Sequence, residues 1–77
     1  MKTFSLATSK SLDSLGRIIA IMRRAKVEIK NLSITSDTSI YKIMCSIDGN
    51  IDEINWLVSK LDKLPEVLKI EEININH

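Results

Sequence analysis

The sequence predicts an α+β domain of order βαββαβ, in which four antiparallel strands form one sheet and two helices cover one of its faces. Three observations point there. Apolar residues recur at helical spacing in two stretches of the chain and close to period two in four others, and Ser, Asn, Asp, Gly or Pro residues mark most of the changes of period. Right-handed crossovers then place the first and third strands at the centre, with both one-sided helices packed on the same face.

Met1 to Thr8 alternates, with Phe4 and Leu6 on one side and Thr3 and Ser5 on the other, as a short strand does. Ser9 or Ser11 can accept a hydrogen bond from the first helical amides, and Asp13 suits the positive end of the helix dipole. The first helix is therefore expected from Leu12 to Ala25. Leu12, Leu15, Ile18, Ile19 and Met22 form its buried stripe, and Arg17, Arg23 and Arg24 lie off it. Gly16 inside this helix costs about 1 kcal/mol against Ala, which points to close packing at that position.

From Val27 the period falls to two. Val27, Ile29, Leu32 and Ile34 interleave with Glu28, Lys30, Asn31 and Ser33, with a phase slip at Lys30-Asn31 that reads as a bulge. Ser36-Asp37-Thr38-Ser39 is a turn, and Ile40 to Asp48 alternates again, so these two strands form a hairpin. Asp48-Gly49-Asn50 ends the third strand, and Asn50 followed by Glu53 resembles a capping box that opens a second helix. Ile54, Leu57, Val58, Leu61 and Leu64 are its stripe, Trp56 lies off the stripe, and Pro65 stops the helix. Val67 to Ile75 is the fourth strand, with a phase slip expected at Glu71-Glu72.

If Tyr41, Ile43, Cys45 and Ile47 point to the helices, Ile40 and Met44 point away, and the slip in the second strand lets Leu32 and Ile34 join either face. Leu32, Ile34, Ile40 and Met44 are accordingly the candidates for an interface with another chain, since an apolar patch on a small domain marks such a contact. The second strand is expected at an edge of the sheet, open to pairing.

Composition narrows the function classes. A chain of 77 residues is one small domain whose core contributes only about 3–5 kcal/mol of net stability. Cys45 has no partner for an internal disulfide, and Cys45 with His77 cannot supply the four ligands of a structural zinc site. Oligomerisation is the remaining source of stability. No apolar run approaches the roughly 18 residues of a membrane span, no secretory segment is evident, and a cytoplasmic location is the expectation. A net charge of +1 does not call for nucleic acid or a membrane surface.

Certain residues carry a family likeness. Leu15-Gly16-Arg17-Ile18-Ile19, Met22-Arg23-Arg24, Val27 to Ile34, Ser36-Asp37 and the ending Leu61-Asp62-Lys63-Leu64-Pro65-Glu66-Val67 resemble the small regulatory subunit of acetolactate synthase (acetohydroxyacid synthase). The likeness is to the short single-domain form found with the second isozyme of enteric bacteria, and it spans about Phe4 to Ile73. It implies a ferredoxin-like ACT domain over residues 1–77 that dimerises through edge strands and binds small effectors, often amino acids, at the seam. It also implies a role as non-catalytic activating subunit in branched-chain amino-acid biosynthesis. The partner is then a separate catalytic chain, which would carry thiamine diphosphate, FAD and magnesium; this chain would carry no cofactor.

By the same resemblance, the effector positions fall on Lys10, Ser11, Asp13, Glu28 and Ile29. The Asn and Gly that larger relatives place in the loop, and the Asn early in the second strand, correspond to Lys10, Asp13 and Glu28 here. Asp13 puts its own carboxylate where a glycine would leave amides open at a helix N-terminus, so a branched-chain amino-acid effector is expected to bind weakly or not at all. The alternatives are a stand-alone ACT-type sensor of an amino acid, or a ferredoxin-like dimerisation module.

Arg17, Arg23, Arg24 and Lys26 read either as a solvated helix surface or as a docking face for an acidic partner. Trp56 either caps the edge of the core or anchors a partner. Cys45 reads as a small buried apolar residue, since no His or cation is placed to lower its pKa. An RNA-binding sheet would need stacking aromatics, for which Phe4 and Tyr41 are the only candidates. The loop Thr8-Ser9-Lys10-Ser11 has neither the Gly nor the Arg of an acylphosphatase phosphate loop, no Cys-x-x-Cys is present, and the carboxylates are scattered, so no catalysis by this chain is expected.

Overall fold

The computed structural model describes residues 1–73. Its elements are β1 (Lys2–Ser9), α1 (Leu12–Arg24), β2 (Val27–Ser36), β3 (Ile40–Gly49), α2 (Ile51–Asp62) and β4 (Val67–Ile73). The sheet order is β2-β3-β1-β4, with every neighbouring pair antiparallel. This is the βαββαβ ferredoxin-like arrangement with β1 and β3 central. Ile75 and His77 lie outside the described residues.

Both helix starts follow from their caps. Ser11 Oγ accepts from the Asp13 amide at 3.1 Å and Asn50 Oδ1 from the Asp52 amide at 2.8 Å, each satisfying one of the donors a helix leaves unpaired. The other half of the capping box does not form. Glu53 Oε1 instead accepts the Lys26 amide at 3.2 Å, tying the end of α1 to the first turn of α2. Asp62 is the last residue of α2, so Leu64 lies beyond the helix, where it still packs on the core.

The core is Phe4, Leu6, Ile18, Met22, Ala25, Ile43, Cys45, Ile47, Ile54, Leu57 and Leu61. The buried stripe of α1 is turned from the expected one. Ser14, Ile18 and Met22 face the sheet, whereas Leu12 and Ile19 are exposed, because Leu12 sits in the first turn and Ile19 on the flank toward β2. The bulge in β2 occurs as expected, with Lys30 the extra residue between pairs Ile29↔Ile47 and Asn31↔Ser46. The irregularity in β4 falls elsewhere: Leu68 is the extra residue, between Ala7↔Lys69 and Thr8↔Val67. Glu71 and Glu72 keep regular register, and Glu72, on the helix side opposite Phe4, pairs with Lys2 at 2.9 Å.

The two glycines have opposite roles. Gly49 has φ +152°, where a side chain is strained, and an added Cβ would lie 3.4 Å from the Lys26 carbonyl. An added Cβ at Gly16 would meet nothing within 4 Å, so close packing does not explain this glycine. Gly16→Ala is expected to raise unfolding free energy by about 0.5–1 kcal/mol and Gly49→Ala to lower it by about 1–2 kcal/mol, as read by urea denaturation. Equal effects of the two substitutions would contradict this placement.

Candidate regulatory site

The loop between β1 and α1 lies where the strands β1 and β2 end and β3 and β4 begin. Thr8 pairs with Tyr41 and Tyr41 with Ser36, so Lys10, Ser11 and Asp13 share this end with the β2–β3 turn. Lys10 Nζ donates to the Asp37 carbonyl at 2.9 Å, fastening the loop to that turn. Asp13 is exposed in the first turn of α1. Beneath it, Ser9 and Ser14 hydroxyls bond at 2.8 Å, and Thr8, fully buried, donates to the Glu66 carbonyl at 2.9 Å. Arg17 reaches Glu66 at 3.1 Å, so α1 and the loop before β4 are joined by an ion pair whose carboxylate is largely buried.

Glu28 and Ile29 lie at the other end. They pair with Asp48 and Ile47, beside Lys2 of β1. The eight residues from Ile29 to Ser36 span roughly 20 Å, so one chain does not bring Glu28 and Ile29 to Lys10, Ser11 and Asp13. Glu28 pairs locally with Lys30 at 3.2 Å.

The four interface candidates divide between the faces. Leu32 and Ile34 pair with the inward residues Cys45 and Ile43 and therefore lie on the helix side of β2; Ile40 and Met44 lie on the open face. The open face also carries Ile73, opposite Thr3, and is otherwise made of small or polar residues such as Thr3, Ser5, Ala7, Ser33, Thr35 and Lys42. A run of exposed apolar residues lies along the outer edge, where Ile19, Ile29, Leu32 and Ile34 are each about two-fifths exposed. Between α1 and β2 it deepens into a groove of about 300 Å³ floored by Met22, Ala25 and Val27. Ile19 belongs to this strip, which the sequence analysis assigned to the core; the surplus of apolar residues on α1 beyond one narrow stripe is the signal for it.

Phe4 and Tyr41 both face the helices, so among the described residues the open face carries no stacking aromatic. Cys45 is buried, and burial pushes its thiol pKa above the ordinary value of 9.0. A raised folded-state pKa leaves its contribution to stability complete below that value and loses it as pH rises further. The alkaline fall of unfolding free energy above pH 9.0 is therefore expected to be steeper in the wild type than in Cys45→Ala; identical slopes would contradict the burial of this thiol. Among the described residues no group of His, Cys, Asp and Glu could hold a metal, and no helix is long and apolar enough to cross a membrane.

A profile of the ACT domain matches residues 10–70, and the chain belongs to the ACT domain family. The fold is similar to the ACT domain of GTP pyrophosphokinase from Chlorobium tepidum, with a TM-score of 0.82, 16% identity, and coverage of 94% of this chain and 95% of that one. It is similar to the acetolactate synthase small subunit from Thermotoga maritima, with a TM-score of 0.80 and 15% identity; 95% of this chain is covered but only 47% of that subunit. Formyltetrahydrofolate deformylase from Burkholderia mallei also matches, with a TM-score of 0.70, 9% identity, and coverage of 94% of this chain and 26% of that one. A search of curated proteins by sequence finds no match. At these identities the structural matches establish the fold, and the family defines the chain as a domain of a regulatory class.

Proposed function

We propose that this ACT domain is the non-catalytic small subunit of an acetolactate synthase, that it pairs with a second copy through β2, and that it raises the activity of a separate catalytic chain. The observation that carries the pairing is the free edge of β2 bordered by the strip Ile19, Ile29, Leu32 and Ile34. A free strand edge offers unpaired backbone groups, and the strip offers apolar area to bury beside them. The resemblance over Leu15 to Arg24 and Leu61 to Val67 supports the acetolactate synthase assignment, as does the fold shared with the Thermotoga maritima subunit. Thiamine diphosphate, FAD and magnesium would belong to the catalytic chain, in the cytoplasm. Residues 1–77 would act as one domain.

Antiparallel addition of β2 to β2 reverses one copy relative to the other. Glu28 and Ile29 of one copy would then approach Ser36 and the Lys10–Asp13 loop of the other, so the effector positions would come together only across the seam. There Asp13 and Glu28 place two carboxylates against the carboxylate of an amino acid, and valine would be held weakly. Asp13→Gly with Glu28→Asn is expected to strengthen valine binding by at least about tenfold in calorimetry, as removal of two like charges predicts; unchanged heats would remove the effector site from this position.

Copurification and reconstitution with the acetolactate synthase catalytic chain of the same genome test the main assignment. Binding and a raised rate are expected; a chain that neither binds nor changes the rate is not this subunit. A thermal shift with an amino acid and no protein partner would instead identify a stand-alone sensor.

A further inference from the structure

The outer side of the helical layer carries a second feature. The indole of Trp56 is bracketed by two cations, Arg24 with Cζ 5.8 Å from the ring centroid and Lys60 with Nζ 5.9 Å from it. Arg24 is the last residue of α1 and Lys60 lies one turn beyond Trp56 on α2, and both are exposed. Like Lys10, Arg23, Lys26, Lys42 and Lys63, neither Arg24 nor Lys60 has a carboxylate within pairing distance among the described residues; what sets these two apart is the aromatic ring they share. Nearby Glu53 turns to the Lys26 amide, and Asp52 forms no ion pair with either cation. Two like charges on one ring repel one another, so the cluster is a preformed excess of positive charge over an aromatic face.

We propose that Arg24, Trp56 and Lys60 form the docking surface for a carboxylate-rich segment of a partner protein. Carboxylates would relieve the repulsion between the cations, and the indole would cover the apolar stems of the same segment. Trp and Arg are the residue types that dominate protein interfaces. The cluster sits between α1 and α2, and none of its three residues lines the groove beside β2. A nucleic acid fits it less well, because a phosphate track needs a row of cations and α2 presents Asp52 and Asp62 on the same exposed layer. The inference rests on the chain being a partner-binding regulatory domain, but not on which enzyme the partner is.

Trp56 is the single tryptophan of the chain and reports on its own surroundings. Titrating the full chain with a short Trp-free peptide of glutamate and leucine is expected to change its emission saturably at low salt. The midpoint should weaken at least about tenfold in Arg24→Gln and in Lys60→Gln, and again at molar salt, where screening reaches a few ångströms. Both replaced side chains are exposed, and unchanged melting curves would confirm that the variants fold. No saturable change, equal midpoints in wild type and variants, or tighter binding of single-stranded DNA than of the peptide would each overturn the proposal. Failure to activate acetolactate synthase would leave this titration intact, so the two readings fail separately.

Discussion

Replacing Leu32 and Ile34 together with glutamate is expected to turn a dimer into a monomer. Each side chain is about 40% exposed in the single chain. Full burial of such a residue stabilises by about 1.5–3 kcal/mol, so the remaining exposed part is worth about 1 kcal/mol. Two positions in two copies give roughly 4 kcal/mol, a dissociation constant raised about a thousandfold before the cost of burying carboxylates is added. Sedimentation shows the loss, and activation of the catalytic chain should disappear with it. Ile40→Glu and Met44→Glu on the open face are the controls: if these dissociate the dimer while the β2 variants do not, the interface is the open face.

Leu6→Ala is expected to leave the chain unfolded at room temperature when it is dilute. Leu6 is 1% exposed on a central strand, where it pairs with Ile43 and Ile70 and packs with the helices. Truncating a buried leucine removes about 2–5 kcal/mol, comparable to the roughly 3–5 kcal/mol that a core of this size supplies. Association adds stability by mass action, so the same variant should regain structure as its concentration rises. Circular dichroism at low and high concentration reads both effects. A Leu6→Ala chain that melts like the wild type at every concentration would mean that the core is not where the stability lies.

Most of the fold was legible because local chemistry and packing agree. Ser11 caps α1 as its place before Leu12 and Asp13 indicates, and the slip at Lys30 in an otherwise alternating strand is a bulge. What was misread has physical causes. Apolar residues cover more of α1 than one stripe, so spacing alone did not decide whether Leu12 and Ile19 or Ser14 and Ile21 faced the sheet; the second edge of α1 borders β2, and Ile19 went there. In β4 the inward residues Val67 and Ile70 are three apart, and that odd spacing marks the extra residue Leu68. Glu72 looked like a break in phase because a charge on the inner face is unexpected, yet at the margin of the sheet Lys2 reaches it. The effector positions could be named by likeness, but no periodicity reveals that Lys10 and Glu28 lie at opposite ends of the sheet within one chain. The pairing of Trp56 with Arg24 depends on the packing of α1 against α2, which spacing within either helix does not show.

The account depends most on β2 being a seam between two copies. Sedimentation equilibrium of the purified chain from low micromolar to near-millimolar concentration measures this directly. A mass of twice the 8.7 kDa chain, falling toward one chain only on dilution or in the Leu32→Glu, Ile34→Glu variant, is the predicted result. A mass of 8.7 kDa at every concentration would contradict it.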